Sequence, residues 1–276
     1  PPLFYFFTHL WMKLGVHTEW FLRIPSVFFG VASVYYTYIF GKKLFNSHIA
    51  LFSAFLLAVS PYHVYYSQEF RMYSLFTFLV LLSWFFLWEK KWTHYTICIA
   101  LIAFTHYFGF LLLLSQLAYI LLAGHDVQKG IQSIGIAMLP FVLWLPTFFQ
   151  QLNTAKLSYV SLPQWQTVLG VPFWKFPALI LAKFAVGVAS PENVILYAAA
   201  VAVFALIMLL SLICIYKKIC DPNLKALHSK YLLLISFTFI PAITAWLASP
   251  FITANAPHRF VFLLPGLYIL LSAGLS

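Results

Sequence analysis

Charged residues are rare in this chain: Asp, Glu, Lys and Arg together make up 8% of its 276 residues. A soluble globular domain has about a quarter of its residues charged, because those side chains cover its surface in water. Hydrophobic residues reach 63%, which excludes intrinsic disorder, since disordered segments are poor in apolar side chains. The composition therefore predicts a polytopic integral membrane protein.

Cysteine and the common catalytic motifs are scarce as well. Cys98, Cys214 and Cys220 have neither paired nor metal-type spacing, so no disulfide framework or zinc site is indicated. The chain has no glycine-rich phosphate loop, no HExxH and no GxSxG, and so lacks the parts of soluble hydrolases and nucleotide-binding enzymes. Lys and Arg outnumber Asp and Glu by 16 to 6. No basic stripe with interleaved aromatics lies outside the apolar segments, however, so no nucleic-acid partner is expected.

Apolar segments long enough to cross a bilayer run through the whole chain; a spanning helix takes about 20 residues. They predict an all-α fold, a polytopic transmembrane bundle of about 8–9 membrane segments with short interfacial helices on the outer face. Residues 1–14 are too few to span and are predicted to form an interfacial or re-entrant helix. The predicted spans are 20–40, 49–66, 73–88, 131–149, 194–216, 231–249 and 260 to the end.

Residues 93–123 are too long for one ordinary span and short for two, and residues 105–109 interrupt them. Counting Lys and Arg on each side of the membrane distinguishes the two topologies: a broken pair gives nine against seven, and a single pass gives eight against eight. The excess of positive residues in cytoplasmic loops favours the pair. The topology with a broken pair of helices places the unusual polar segments on the outer face; these are 62–71, 105–109, 150–192 and 249–259.

The chain is interpreted as one transmembrane domain, 1–276. It begins with Pro1 and Pro2, without an initiator Met or a signal peptide, and it ends inside the apolar run 263–271. It is therefore expected to be a piece of a longer protein, cut at both ends.

The segment 60–73 lies between two apolar spans and is unusually polar. Ionisable groups at membrane depth cost roughly 2.5–3.5 kcal/mol each and are functional by default. The segment therefore predicts a pocket for an anionic ligand, in which Arg71 binds a phosphate and Glu69 orients it or binds an acceptor hydroxyl. The alternative is a self-paired Glu–Arg turn that caps two helices; a helical ion pair is disfavoured because positions i and i+2 do not share a helix face. The candidate binding residues in this segment are His63, Tyr66, Gln68, Glu69 and Arg71.

Three other features each have two interpretations. Arg259, at the outer start of the last helix, is either a second phosphate contact or an interfacial anchor that extends to the headgroups. His106, like His63, either contacts a ligand or is hydrogen-bonded within the fold, which is the more frequent case for histidine. Residues 150–192, rich in Pro and Trp, are predicted to form an extracytoplasmic loop that either covers the pocket or lies along the membrane.

A series of short motifs runs through nearly the whole chain in a recognisable order. They are residues 1–5, 22–26 with Gly30, 41–45, 60–61 with 65–73, 106–109, 144–146, and Arg259 with 264–266. The series resembles the GT-C superfamily of integral-membrane glycosyltransferases, in the branch related to protein O-mannosyltransferases and bacterial aminoarabinose (lipid A) transferases. The block 65–73, similar to the YSQEARMY block of that family, is the most specific of the set.

The resemblance implies transfer of a hexosyl or pentosyl group from a polyprenyl-phosphate-linked donor to an acceptor glycan, lipid or protein on the outer face of a cell membrane. It implies that Arg71 and Arg259 contact the lipid phosphate and that Glu69 and Tyr66 line the pocket. The catalytic acidic residue of the family lies upstream of the segment that residues 1–5 resemble. The catalytic base is therefore expected upstream of Pro1. Residues 1–276 alone are expected to be inactive. Some relatives use a divalent metal, but no ligand cluster is visible here, so no cofactor is predicted.

Two other functions are compatible with many spans and buried charge. A non-enzymatic transporter or flippase for a lipid-linked or anionic solute is the main alternative, and a scaffold subunit of a membrane assembly is the weaker one. A transporter is expected to show internal repeats and charged groups near the bilayer midplane, whereas here the polar residues group near one face. An Asp in an extracytoplasmic loop upstream of Pro1 would favour the enzyme.

Overall fold

The computed structural model describes residues 1–15, 18–124, 126–160, 172–188, 192–249 and 256–276, without the side chains of 155–160. Within these residues all regular secondary structure is helical. There are twelve α-helices, namely α1 (Leu3–Met12), α2 (Glu19–Leu44), α3 (Ser47–Val59), α4 (Pro61–Gln68), α5 (Tyr73–Trp88), α6 (Trp92–Thr105), α7 (Gly109–Ala123), α8 (Val127–Val160), α9 (Phe176–Val186), α10 (Val194–Cys220), α11 (Lys225–Ala248) and α12 (Leu264–Leu275). Short 3-10 helices cover Phe173–Lys175, Pro222–Leu224 and Pro257–Leu263.

Many of these helices have the length and composition of membrane spans. Among the described residues five helical segments are long and apolar enough to cross a bilayer, and α3 with α4 adds a sixth if this pair, bent by 60°, is one span. Helices α5, α6 and α7 are shorter apolar helices. Each of these segments coincides with one of the predicted membrane segments. The all-α, multi-pass membrane fold is therefore confirmed.

Two predicted segments have different boundaries in the structure. Residues 49–66, predicted as one continuous span, are divided at Ser60, where the backbone is extended (φ −63°, ψ 115°) and α4 restarts with Pro61 at its first turn. The ring of Pro61 disfavours the helical conformation of the residue before it, and Ser60 Oγ accepts a hydrogen bond from the His63 N–H at 3.4 Å. The local sequence therefore explains why the helix bends at this point.

The predicted loop 150–192 is also partly helical. Helix α8 contains two prolines, Pro140 and Pro146, and continues past position 150 to Val160. Residues 172–188 contain the short 3-10 helix Phe173–Lys175 and α9, which are short helices of the kind predicted. Residues 161–171 and 189–191 of the predicted loop lie outside the described residues, as do 250–255 of the predicted outer segment 249–259.

The interruption in residues 93–123 is present. Helix α6 ends at Thr105 and α7 begins at Gly109, so the stretch forms two helices, as the broken pair requires. A buried hydrogen-bond chain joins these helices to α5: the Tyr95 hydroxyl donates to Gln116 Oε1 at 2.9 Å, and Gln116 Nε2 donates to Ser83 Oγ at 2.8 Å. Buried polar groups must be paired in this way, and the pairing fixes how α5, α6 and α7 align.

The core of the bundle lies around α5 and α12. Trp84 of α5 is fully buried and stacks on Phe237 of α11, with ring centroids 5.4 Å apart. Helix α12 packs between α3, α10 and α11, and a Cβ at its Gly266 would lie 2.7 Å from the ring of Phe237. Close packing of this kind gives membrane helices their van der Waals attraction. The Trp84–Phe237 contact joins α5 to this core, and the N-terminus of α5 leads into the polar region described next.

Candidate functional site

Four helix ends meet at one end of the bundle: the C-terminus of α4, the N-terminus of α5, the α6–α7 break, and the start of the 3-10 helix Pro257–Leu263. The ring of Tyr73 lies at their centre, with its centroid 5.2 Å from that of Tyr66, 5.4 Å from that of His258 and 6.3 Å from that of His106. We call the polar residues gathered here the arginine–tyrosine cluster, consisting of Tyr66, Glu69, Arg71, Tyr73, His106, His258 and Arg259.

Glu69 and Arg71 form an ion pair within the bend that joins α4 to α5. The Arg71 N–H donates to the Glu69 carbonyl at 2.7 Å, which brings the two side chains to the same side of the chain. Arg71 Nε lies 3.2 Å from Glu69 Oε1. The self-paired Glu–Arg turn, one of the two interpretations of this segment, is therefore present. The two residues do not form a helical ion pair, which the sequence disfavours.

The ion pair leaves both partners with capacity for a ligand. The Arg71 side chain is 60% exposed, so much of its guanidinium remains accessible. Glu69 Oε2 is buried and has no hydrogen-bond partner among the described residues. A hydrogen bond with Tyr73, followed by the charge of Glu69, raises the pKa of Arg71 above its ordinary value. The guanidinium is thus held in place and permanently charged.

Arg259 approaches the same centre from the last part of the chain. Its guanidinium lies over the ring of Phe108, 5.4 Å from the centroid. The charges of Glu69, Arg71 and Arg259 all act on the Tyr73 side chain. The charges of both arginines act on the His258 ring. The structure therefore brings two guanidinium groups, predicted from segments almost 190 positions apart in sequence, around one tyrosine.

His106 occupies the α6–α7 break as a neutral, hydrogen-bonded group. Its Nδ1 accepts a hydrogen bond from the Phe108 N–H at 3.0 Å. Burial lowers the pKa of His106 to about 3, and the positive charge of Arg259 acts in the same direction. A histidine with so low a pKa stays neutral near pH 7. This geometry corresponds to the more frequent of the two predicted interpretations, a histidine hydrogen-bonded inside a helix break.

Tyr66 is a buried member of the cluster, whereas two other candidates lie elsewhere. Tyr66 is 8% exposed and packs edge-on against Tyr62, 5.0 Å between centroids. His63 and Gln68, on the same helix, line a separate cavity between α2, α3 and α4. The structure therefore brings together five of the seven predicted binding residues and separates His63 and Gln68 from them.

Two members of the cluster are missing from the predicted site residues. Tyr73 and His258 both stand beside a predicted arginine in sequence, Tyr73 two positions after Arg71 and His258 directly before Arg259. Their proximity to the arginines was a usable signal. Their role as the shared centre, however, depends on how the 3-10 helix Pro257–Leu263 packs against α5.

The described part of the chain contains no group of three or more His, Cys, Asp or Glu side chains that could hold a metal ion. The cluster itself has a single carboxylate, that of Glu69, and this carboxylate is engaged with Arg71. Its net charge is positive, because two arginines face that one carboxylate. The cluster is therefore suited to binding an anion.

The chain is similar to a known protein family and to a solved structure. The sequence profile of the dolichyl-phosphate-mannose-protein mannosyltransferase family matches residues 1–152, a range that contains Glu69, Arg71, Tyr73 and His106. The crystal structure of the Archaeoglobus fulgidus oligosaccharyltransferase in the apo form is similar in fold, with a TM-score of 0.56 and 14% sequence identity. The alignment covers 99% of this chain and 41% of that one, so this chain spans well under half the length of the archaeal protein. Comparison with curated proteins gives no significant match.

The profile match covers more than half of the chain and includes the polar bend between α4 and α5. The motif order along the chain predicts the same superfamily. This multi-pass membrane chain therefore belongs to the dolichyl-phosphate-mannose-protein mannosyltransferase family.

Proposed function

We propose that the protein is a membrane glycosyltransferase that moves a sugar from a polyprenyl-phosphate donor to an acceptor hydroxyl on the extracytoplasmic face. The observation that carries the proposal is the convergence of Arg71 and Arg259 around Tyr73 at one end of the bundle. Family membership supports the choice of a lipid-phosphate donor.

The two arginines suit the chemistry of the leaving group. When the bond between the sugar and the phosphate breaks, negative charge develops on the lipid phosphate that departs. Positive groups already in position stabilise that charge in the transition state without reorganising. Arg71, exposed and oriented by Tyr73 and Glu69, binds the phosphate through its planar guanidinium. Arg259, held over Phe108, contributes a second positive charge.

Glu69 has a supporting role in this proposal. Its Oε1 positions Arg71, 3.2 Å away, while its buried Oε2 accepts a hydrogen bond from the sugar or from the acceptor hydroxyl. An unpartnered buried carboxylate oxygen costs free energy until a ligand satisfies it. Tyr66, buried below Tyr73, lines the base of the site.

A transfer assay tests the function. The full-length protein is reconstituted with radiolabelled sugars attached to polyprenyl phosphate, as a panel of hexoses and pentoses, together with glycan, lipid and peptide acceptors. We expect transfer from at least one lipid-linked donor and no transfer from the matching nucleotide-linked sugars. Transfer from the nucleotide sugars alone, or net movement of an unmodified lipid-linked sugar across the bilayer, would show that the proposal is wrong.

The side of the membrane is tested separately. In a variant with Cys98, Cys214 and Cys220 replaced by Ser, a cysteine at Trp174, 72% exposed, should react with a membrane-impermeant reagent in intact cells. Its matched control is a cysteine at Lys90, at the opposite end of α5, which should react only after permeabilisation. The reverse pattern would place the arginine–tyrosine cluster on the cytoplasmic face.

A further inference from the structure

A second cavity, distinct from the arginine–tyrosine cluster, lies between α2, α3 and α4. Its volume is about 360 Å³, within the size range of small-molecule sites. Most of its wall is apolar and comes from α2, from Ala58 of α3 and from Val64 of α4, whereas its polar residues all belong to α4. No charged side chain lines it; the lining residues are Val27, Gly30, Val31, Val34, Ala58, His63, Val64, Ser67 and Gln68.

His63 lines the cavity, and its ring has one polar atom whose position the fold does not explain. His63 is 3% exposed, and its Nε2 is buried with no hydrogen-bond partner among the described residues. The hydroxyl of Ser67 does not satisfy it, because Ser67 Oγ donates to the His63 carbonyl at 2.7 Å. A buried polar group without a partner costs about 1–3 kcal/mol. Such a group in a cavity wall indicates a missing ligand.

The other side of the imidazole determines what kind of ligand is missing. The ring has a hydrogen bond with the backbone of Leu57, where the carbonyl can only accept. The ring nitrogen that faces this carbonyl therefore carries the proton, and Nε2 of the neutral ring presents a lone pair. The ligand must donate a hydrogen bond to Nε2, and the uncharged wall disfavours an ionised headgroup.

The rim of the cavity faces the hydrocarbon rather than water. Val31 is 65% exposed and Val27 is 42% exposed, and both belong to the spanning helix α2. Exposed valines on a spanning helix contact lipid chains. Gly30 forms the close contact between α2 and α4, since a Cβ there would lie 2.3 Å from Ser67 Oγ. A ligand therefore enters from the membrane.

We propose that this cavity binds the hydroxyl group of an uncharged membrane alcohol, with the O–H donating to His63 Nε2 and the hydrocarbon chain lying along the valines of α2. Diacylglycerols and long-chain isoprenoid alcohols both have this chemistry. The site is independent of the phosphate chemistry at Arg71, because none of the residues that line the cavity belongs to the arginine–tyrosine cluster.

Photo-crosslinking tests the site in the full-length protein in lipid nanodiscs. Four probes with a diazirine in the hydrocarbon chain are compared: a diacylglycerol, an isoprenoid alcohol, and the methyl ether of each. Labelled peptides are identified by mass spectrometry. We expect either alcohol to label peptides of α2 and α4 about five-fold more than its ether, the factor that one neutral hydrogen bond gives. The alcohol that labels more strongly identifies the natural source.

Two variants and two controls make the result specific. His63→Phe removes the acceptor. Val31→Trp fills the cavity from its rim and retains His63, in case the buried change prevents folding. Both should abolish the preference for alcohol over ether. Leu143→Trp, at an 86% exposed position of α8, and Arg71→Ala should leave it intact. Equal labelling by alcohols and ethers, or a preference that survives in both cavity variants, would overturn the proposal.

Discussion

The two ends of helix α5 hold different kinds of charged group. At its C-terminal end Lys43 pairs with Glu89, Nζ to Oε2 3.3 Å, and Lys90 pairs with Asp126, Nζ to Oδ2 2.7 Å. These lysines are more than half exposed, at 55% and 59%. We call this region the lysine end. The N-terminal end of α5 lies about 24 Å away, because a 16-residue helix rises 1.5 Å per residue. That end belongs to the arginine–tyrosine cluster.

The difference does not lie in exposure, since the Arg71 side chain is as exposed as these lysines, at 60%; it lies in what holds each charged group. Exposed lysine pairs contribute roughly 0–1 kcal/mol, because water screens them and flexible side chains must be ordered. The arginines of the cluster are instead held by aromatic rings: Arg259 lies over Phe108 and Arg71 is hydrogen-bonded to Tyr73. The comparison shows that the lysine end can be explained by membrane anchoring alone, whereas the arginine–tyrosine cluster has the order that a ligand site needs.

The largest expected effect comes from removing one guanidinium. Arg71→Ala in the full-length protein should reduce sugar transfer by about 100-fold or more, the usual effect of losing one group that stabilises transition-state charge. Arg71→Lys should be intermediate, because lysine keeps the charge and loses the planar geometry. Initial rates at saturating donor measure the effect.

The matched control for this experiment is Lys43→Ala at the lysine end, which breaks an ion pair of similar length. It should change the rate less than about two-fold, since exposed pairs contribute little. Equal losses in Arg71→Ala and Lys43→Ala would remove the distinction between the two ends.

Acid should weaken the cluster through His106. Its folded pKa of about 3 lies below its ordinary value of 6.5, so the unfolded chain takes up a proton first as pH falls. The stability that neutral His106 contributes is complete above pH 6.5 and is lost as pH falls towards the folded pKa. At pH 5 the loss is on the order of 2 kcal/mol.

Thermal unfolding in detergent at pH 7.5 and at pH 5 checks this effect. His106→Gln should lose less stability than the wild type between these two pH values, and His94→Gln, an exposed histidine near the lysine end, controls for loss of an imidazole. The same pH dependence in the wild type and in His106→Gln would contradict a buried neutral His106.

Removing a single hydroxyl tests how Arg71 is oriented. Tyr73→Phe deletes the hydrogen bond to Arg71 and preserves the ring contacts with Tyr66 and His258. We expect about a ten-fold loss of transfer, as for one hydrogen bond to a charged group, with little change in thermal stability. A loss of stability without a loss of rate would assign Tyr73 a structural role only.

The smallest effect concerns the support beneath the bend. Gly30→Ala places a Cβ 2.3 Å from Ser67 Oγ, so α2 and α4 must separate slightly, at a cost of about 1 kcal/mol. The melting temperature should fall by a few degrees. Gly135→Ala, where a Cβ meets nothing within 4 Å, should be neutral or slightly stabilising because alanine favours the helix. If both variants melt at the same temperature, α2 and α4 are not in close contact.

The sequence predicts the helices much better than it predicts the site. Apolar runs determine where membrane helices form, so the spans and the break at residues 105–109 are confirmed within a few residues. The bend at Ser60 was missed although Pro61 marks it. The continuation of α8 to Val160 was missed because polar residues from position 150 onward suggest a loop as readily as a helix end.

Residues of the site are harder to predict because their neighbours are distant in sequence. The free-energy cost of placing a charge near a membrane identifies Arg71 and Arg259 as candidates. It does not identify Tyr73, which lies between them. The sequence places His63 in one group with Arg71, because both lie in the polar segment 60–73. The rotation of α4 decides which of its side chains face the cluster, and this depends on the packing of α4 against α2, which local sequence does not reveal.

The central claim is that the arginine–tyrosine cluster, and not the lysine end, binds the phosphate of a polyprenyl lipid. Binding of radiolabelled polyprenyl phosphate to the full-length protein in nanodiscs tests it most directly. The double variant Arg71→Ala/Arg259→Ala should lose affinity by about 100-fold or more, while Lys43→Ala/Lys90→Ala should bind like the wild type. Undiminished binding by the arginine variant, or a comparable loss in the lysine variant, would contradict the account.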